Sequence, residues 1–286
     1  MEINFLKMQG SGNDYIFIDC FKNPKPEEEY LPELAKRINN RHIGVGGNGL
    51  VLILPGDEHK LKMRIFNVQG LEIDMCGNAI RCVGRYAFDS GIMLEEKFII
   101  ETKIGNMGLQ IIDSYNLRVN ICAPYIIDNS QEIVERLDIK YTGSIMIDDK
   151  EYTFTPLFLV SPHAVLFVTD YNFPIHTIGR KIEKHPRFPI KINVEFVRVF
   201  SREEIQIRGW KRGVGETYSC SIGASAAVVA AVLNGFTERE VVVHVKGGDL
   251  YIEWNEDTNH VFISGPAQYV FSGTYYFDEP RLANCE

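Results

Sequence analysis

The 286-residue chain contains no cluster of lysine and arginine, no long apolar run and no closely paired cysteines. Acidic residues outnumber basic ones, 38 to 30, for a formal net charge of −8. Nucleic-acid binding rests on a concentrated basic surface, so DNA and RNA are not expected partners. The longest apolar stretch, residues 224–233 interrupted by Ser225, falls far short of the roughly 20 residues a membrane helix needs. The opening Met-Glu-Ile-Asn-Phe-Leu-Lys-Met lacks the basic and then apolar regions of an export signal. A cytoplasmic protein with no membrane partner is therefore expected. None of the cysteines, Cys20, Cys76, Cys82, Cys122, Cys220 and Cys285, forms a Cys-x-x-Cys pair. A zinc knuckle or thioredoxin-type site is thus not expected, and in a reducing compartment these cysteines are thiols.

With 45% hydrophobic and 24% charged residues, the composition is that of an ordinary globular protein. Its length suits one large domain or two of roughly 140 residues. Alternating apolar patterns predict strands at residues 61–66, 116–121 and 241–245, with further sets over 158–167 and 193–210. Gly247-Gly248-Asp249 predicts a hairpin turn before a strand over 250–254. Only two segments read as helices. Residues 79–88 place Ile80, Val83, Gly84 and Ala87 on one face. Residues 224–233 are apolar all round, as a buried helix must be, and stop at Asn234-Gly235, a suitable cap. A cysteine precedes each helix: Met75-Cys76-Gly77-Asn78 before the first, Ser219-Cys220-Ser221-Ile222-Gly223 before the second. The two cysteines are 144 residues apart, about half the chain. The expected fold is α+β, with two pseudo-symmetric half-domains. Each is a curved, mostly antiparallel sheet around a central helix. Cys76 belongs to the first half and Cys220 to the second.

Cysteine is also a common core residue, and symmetry alone leaves that reading open. The helix starts add chemistry. A thiol there meets the positive end of the helix dipole and unpaired backbone N–H groups, which favour thiolate. The same N–H groups suit a carboxylate. Two opposed helices of this kind would hold an amino acid by its α-carboxylate with one sulfur on each face of Cα. One thiolate would remove the α-proton, the other thiol would return a proton, and the configuration would invert. The donors would stabilise the enolate-like charge as it develops.

Three blocks resemble the diaminopimelate epimerase family. Lys7-Met-Gln-Gly-Ser-Gly-Asn13-Asp14-Tyr15 is similar to its opening Lys-Met-x-Gly-x-Gly-Asn-Asp-Phe. Residues 65–82, with Asn67 and Met75-Cys76-Gly77-Asn78-Ala-Ile-Arg81-Cys82, resemble its Asn-x-Asp-Gly-Ser and Cys-Gly-Asn-Gly-x-Arg-Cys. Lys211-Arg212-Gly213-Val-Gly215-Glu216-Thr217-Tyr-Ser-Cys220 is similar to Glu-Arg-Gly-x-Gly-Glu-Thr-x-Ala-Cys. The resemblance covers nearly the whole chain. It implies that the active site lies in the cleft between the half-domains and that the last strands return to the first one, so that the first spans 1–122 plus 268–286 with Cys76 and the second 123–267 with Cys220. It implies Cys76 and Cys220 as acid and base, with no pyridoxal phosphate, metal or other cofactor. It implies that Gly77, Asn78, Ser221 and Ile222 give backbone donors to the α-carboxylate, and that Asn13 binds the α-amino end. It implies that His163, in Ser161-Pro162-His163 where the family has Asn-Pro-His, assists one cysteine. Asn67, Asn193 and Arg212 match ligands of the distal end of the substrate. Cys82 is read as packing, and Cys20, Cys122 and Cys285 have no chemical context.

The departures from the family gather on the substrate side. Ser161 replaces Asn, Lys211 replaces Glu, and Gln69 and Leu71 replace Asp and Ser. Gly46-Gly47-Asn48 stands for Gly-x-Asp, and Ser221-Ile222-Gly223 for Gly-Thr-Gly. Where a glutamate could help deprotonate a cysteine, Lys211 would instead act on the thiolate by charge. The expected activity is a racemase or epimerase with an altered side-chain pocket, for histidine or another polar amino acid. The alternatives are a true diaminopimelate epimerase (LL to meso) of lysine and peptidoglycan biosynthesis, and a non-catalytic amino-acid-binding homologue. Proline racemases fit the opening block less well, and phenazine-type isomerases lack the cysteine pair. A homodimer is compatible with the resemblance.

Overall fold

The computed structural model describes residues 1–127, 133–134 and 142–278. Cys285 and the last part of the expected return 268–286 lie outside them. The described elements begin with β1 (Glu2–Gly10), β2 (Asn13–Asp19), α1 (Leu31–Ile38), β3 (Gly49–Leu54), β4 (Leu61–Asn67) and β5 (Glu72–Ile73). There follow α2 (Gly77–Asp89), β6 (Lys97–Thr102), β7 (Gly105–Ile111), β8 (Asn116–Cys122), β9 (Tyr125–Ile127) and β10 (Ile133–Val134). Next are β11 (Gly143–Ile147), β12 (Lys150–Leu159), β13 (Ser161–Phe167), α3 (Ile175–Glu183), β14 (Asn193–Ser201), β15 (Glu204–Lys211) and β16 (Gly215–Glu216). The chain continues with α4 (Ser221–Leu233), β17 (Glu240–Val245), β18 (Gly248–Trp254), β19 (Val261–Pro266) and β20 (Gln268–Tyr276). The fold is α+β, and among the described residues no helix is long and apolar enough to cross a membrane.

Two compact units result. The first is Met1–Ile111 with the described part of Ala267–Glu286; the second is Ile112–Pro266. The split falls before β8, not at 122/123, because β8 pairs with β19 along its whole length. In the first unit the strands run β20-β1-β2-β3-β4-β6-β7, parallel at β2/β3 and β4/β6 and antiparallel elsewhere. In the second they run β12-β13-β14-β15-β17-β18-β19-β8, parallel at β13/β14 and β15/β17.

Side chains alternate faces along a strand, and here both faces are buried. In the first unit Ile16, Ile18, Leu50 and Leu52 pack against Leu31, Leu34, Ala35 and Ile38 of α1. Phe17, Val51 and Ile53 are buried on the opposite face, and α2 packs on β1 and β2. In the second unit Ala164, Leu166, Val194 and Phe196 pack against Ile175, Ile178 and Ile182 of α3. Helix α4 packs on β12, β13, β14, β15, β18 and β19. Its residues from Gly223 to Ala231 are all buried, which is why its sequence is apolar all round.

Three expectations need correction. Helices α1 and α3 add to the two predicted; their apolar residues recur at helical spacing, but short segments rich in Lys, Arg and Pro masked them. Both central helices start two or three residues earlier than predicted, directly after a cysteine. The β17–β18 turn is at Lys246–Gly247, with Val245 opposite Gly248, one residue before the predicted position.

Candidate active site

In the first unit the chain reverses between β1 and β2 through Ser11 and Gly12, both at positive φ (49° and 81°), with Gly10 paired to Asn13. Two consecutive left-handed residues are what a two-residue hairpin requires. The turn sets Asn13 at the start of β2, so Asn13, Tyr15 and Phe17 share the face opposite α1. Asn13 is buried and its Oδ1 accepts from Asn48 Nδ2 at 3.1 Å. Asp14, on the other face, bonds Arg41 at 2.6 Å and Lys7 at 3.0 Å. Burial raises its pKa, but these two cations outweigh burial and hold the carboxyl below the usual range.

Cys76 is the N-cap of α2, in extended backbone (φ −141°, ψ 118°), and its carbonyl accepts the first helical bond from Ile80 at 3.0 Å. The N–H groups of Gly77 and Asn78 belong to the first turn of the helix, ahead of any helical acceptor. The Cys76 sulfur lies 2.9 Å from the Tyr15 hydroxyl. Behind it Arg81, fully buried, donates to Gly77 O (3.1 Å), Asn78 Oδ1 (2.9 Å) and Ser11 Oγ (3.2 Å). Burial lowers the guanidinium pKa, while Cys82, Cys76 and Tyr15 nearby act the other way. The Ser11 turn and the α2 start are thus tied together by one buried cation.

In the second unit Cys220 caps α4 (φ −125°, ψ 97°), and its sulfur accepts from Gly223 N at 3.3 Å. Ser221 and Ile222 supply the remaining first-turn N–H groups. His163 is fully buried on β13; its Nδ1 is 3.2 Å from Glu195 Oε1 and its Nε2 is 3.1 Å from Ser161 Oγ. Burial pushes the Glu195 carboxyl up, against the His163 hydrogen bond. Glu195 Oε2 is buried without a hydrogen-bond partner. The carboxylate fits because two glycines leave it room: a Cβ on Gly223 would meet Oε1 at 2.2 Å, and one on Gly209 would meet Oε2 at 2.6 Å. Glu195 and His163 therefore abut the first turn of the helix that Cys220 caps.

The distal-end candidates are also placed. Asn193 Nδ2 donates to Ser161 Oγ (3.0 Å) and Pro162 O (3.2 Å), and its Oδ1 accepts from Arg212 N (3.0 Å). Its amide thus knits Ser161 to the Arg212 backbone. The Arg212 guanidinium donates to Ile190 O at 3.3 Å, and Lys211 ends β15. Asn67 ends β4, and its Oδ1 accepts from Gln69 N and Leu71 N, both at 3.0 Å, so it shapes the turn before Cys76. Cys82 is buried, its thiol pushed up to about 12 by burial, and Cys20 to about 11 for the same reason, with Asp19 adding to it. Neither is set up to react. Among the described residues no three His, Cys, Asp or Glu side chains converge as a metal site requires. The sequence reading missed Tyr15 and Glu195. An acidic residue in an apolar strand, Val-Glu-Phe-Val, was the signal for Glu195.

Comparison with known proteins follows the same lines. The sequence profile described as diaminopimelate epimerase matches residues 5–126 and 160–270. Curated proteins named diaminopimelate epimerase are similar over their whole length. That of Acetivibrio thermocellus is 43% identical, covering 97% of this chain and 100% of the relative. That of Desulfitobacterium hafniense is 44% identical, covering 97% and 99%. Among solved structures, a hydroxyproline epimerase from Agrobacterium vitis aligns with TM-score 0.70 at 14% identity, covering 98% of this chain and 94% of that one. A PhzF-family phenazine biosynthesis protein of Bacillus anthracis gives 0.68 at 16%, covering 97% and 100%. At such identities these two likenesses speak for the fold alone.

Proposed function

The chain belongs to the diaminopimelate epimerase family, and from that premise we propose that it inverts Cα of a free polar amino acid by a two-base thiol mechanism. It is a cofactor-independent isomerase. Cys76 and Cys220 are the acid and base, and the reaction requires each to serve one face of Cα. The thiolate on one face takes the α-proton, and the thiol on the other delivers its own proton to the carbanion. Backbone N–H groups of Gly77, Asn78, Ser221 and Ile222 receive the α-carboxylate and its developing charge. Asn13 takes the α-amino group, His163 assists Cys220, and Lys211 acts by charge where the family has a carboxylate. The observation that carries this reading is the repeated one: each cysteine caps a buried helix at its N-terminus, where the helix dipole favours a thiolate and a carboxylate.

We further propose that the side chain bound is not that of diaminopimelate but a smaller polar one, histidine among the candidates. Asn67, Ser161, Asn193 and Arg212 are the proposed ligands of its far end. Ser161 supports this: its single hydroxyl is already engaged by His163 and Asn193, so it has little left for a distal amine and carboxylate. Losing one such ligand costs about 1–3 kcal/mol, roughly tenfold to a hundredfold in affinity. A second reading, diaminopimelate itself, has in its favour the names of the full-length relatives. The experiment is deuterium incorporation at Cα in heavy water across a panel of amino acids, LL-diaminopimelate included, with Ser161→Asn alongside. Best turnover of another amino acid, shifted toward diaminopimelate by Ser161→Asn, is expected. Diaminopimelate as the best substrate by a wide margin would establish the second reading.

We place the enzyme in the cytoplasm, acting on a small molecule with no nucleic acid or membrane partner. A homodimer belongs to the same proposal. Among the described pairings β20 joins only β1, and it exposes Tyr269, Val270, Phe271 and Tyr276, an edge that a second copy complements by two-fold pairing. Sedimentation velocity reads it.

A further inference from the structure

The two units repeat one plan residue by residue. An offset of 144 carries Arg64 onto Arg208, Glu72 onto Glu216 and Cys76 onto Cys220. The ion pairs are the same in kind: Arg64 holds Glu72 at 2.8 and 2.9 Å, and Arg208 holds Glu216 at 2.7 and 3.1 Å. Each pair clasps a two-residue strand, β5 or β16, to the strand before it, and the cysteine follows four residues later.

The same plan governs the strands beneath the cysteines. Both β2 and β13 run parallel to the next strand of their sheet, and in both the fourth residue pairs with the second of the neighbour: Ile16 with Leu50, Ala164 with Val194. The third residues therefore correspond, and they are Tyr15 and His163. Each lies on the face opposite the outer helix, α1 or α3. Tyr15 is 6% exposed, and its hydroxyl touches the cysteine sulfur directly.

We propose that Tyr15 is a catalytic residue of the first unit, the counterpart of His163, holding the Cys76 sulfur by a hydrogen bond in both of its protonation states. The inference rests on the two-cysteine reading above. A phenol hydroxyl both donates and accepts. When the sulfur has lost its proton the hydroxyl donates to it; when the sulfur carries a proton, either group can donate to the other. The proton exchanged with substrate stays on sulfur, and Tyr15 keeps its own. One partner thus follows the sulfur through the cycle without reorganisation, the condition under which a fixed donor lowers a barrier.

The test is Tyr15→Phe, read in two ways. A hydrogen bond to a charged group is worth on the order of tenfold or more in rate, so kcat should fall about tenfold with KM changed less than about twofold. In free enzyme, iodoacetamide labelling across a pH series, resolved by peptide mass spectrometry, should need higher pH at Cys76 and be unchanged at Cys220. A Cys76 labelling profile identical to that of the unsubstituted enzyme overturns the proposal, whether or not kcat falls. Labelling needs no substrate. If Cys76→Ser proved fully active, the two-base reading would fail, while the labelling series would still decide whether Tyr15 acts on Cys76.

Discussion

The two units share a backbone plan and differ in what is buried beside each cysteine. Beside Cys76 lie a phenol and a fully buried cation, Arg81. Beside Cys220 lie an imidazole and a carboxyl, His163 and Glu195. The offset of 144 that matches the cysteines brings Glu195 onto Val51, which is apolar and buried in the equivalent register position, opposite Phe17 as Glu195 is opposite Val165. Inversion at carbon needs one sulfur that begins without its proton and one that begins with it. Duplicating a scaffold gives two like thiols; the groups buried near them are what differs.

The comparison breaks most visibly at the cysteines themselves. Cys76→Ser and Cys220→Ser should each reduce inversion by about 10²–10⁴-fold, the range for losing a general acid or base, with circular dichroism unchanged. A fully active Cys220→Ser enzyme would make the second unit a structural copy.

Next in size are the clasps. Glu216 is 5% exposed in its side chain and bonds Lys246 and Arg208, whereas Glu72 is 29% exposed. Burial raises the Glu216 pKa, but Arg208 and Lys246 outweigh it and hold the carboxyl at about 2. Its folded value lies below its unfolded one, so its contribution is present above about pH 5 and is lost as pH falls toward 2. Glu216→Gln should cost roughly 2–3 kcal/mol and Glu72→Gln about 1, because removing one member of a buried pair strands its partners. Urea titrations at pH 7 and pH 4 measure both. Equal losses would mean that the clasps are interchangeable.

Glu195→Gln probes the carboxyl that the first unit lacks. Gln keeps the shape and an acceptor for His163 but removes the ionisable group from an apolar surround. Activity should drop about tenfold while the melting temperature holds or rises, since deleting a buried charge is often neutral or stabilising. A variant with full activity would reduce Glu195 to a packing residue.

How much of this was legible beforehand depends on the kind of signal. The buried helix, read at 224–233, and the strand alternation follow from local periodicity, which sequence displays, and the cysteines from their place before each helix. The 64/72 and 208/216 clasps are pairings across a turn, where charge spacing gave no cue without the strand register. Tyr15 stood in the opening motif without a role, because a hydroxyl's importance depends on what lies 2.9 Å from it. Helices α1 and α3 are amphipathic, and their polar faces diluted the pattern. Asn67 was assigned to the substrate from its motif; that its carbonyl oxygen also accepts from the Gln69 and Leu71 N–H groups is something only hydrogen-bond geometry reveals.

The smallest contrast concerns the rims of the two sheets and runs in opposite directions with pH. In the first unit the Glu101 carboxylate accepts from the backbone N–H groups of His59, Asp57 and Glu58, and these hold its pKa below the usual range. That contribution is lost on acidification. In the second unit His244 bridges Asp249 and Glu204, each at 2.7 Å. The hydrogen bond to Asp249 raises its pKa, partial burial opposes, and Glu204 adds to the rise. A raised folded value means that its contribution is complete below the ordinary histidine value and fades as pH climbs through the folded one. Both carboxylate partners are largely exposed, so solvent screening limits the bridge to a few tenths of a kcal/mol, about 1 °C in melting temperature. His244→Gln should therefore melt slightly below the unsubstituted protein at pH 6 and coincide with it at pH 9. Hydrogen exchange over residues 240–254 should show the same pH-dependent difference, with none over residues 97–111. A deficit that persists at pH 9 would mean that the imidazole acts there by packing and not by charge.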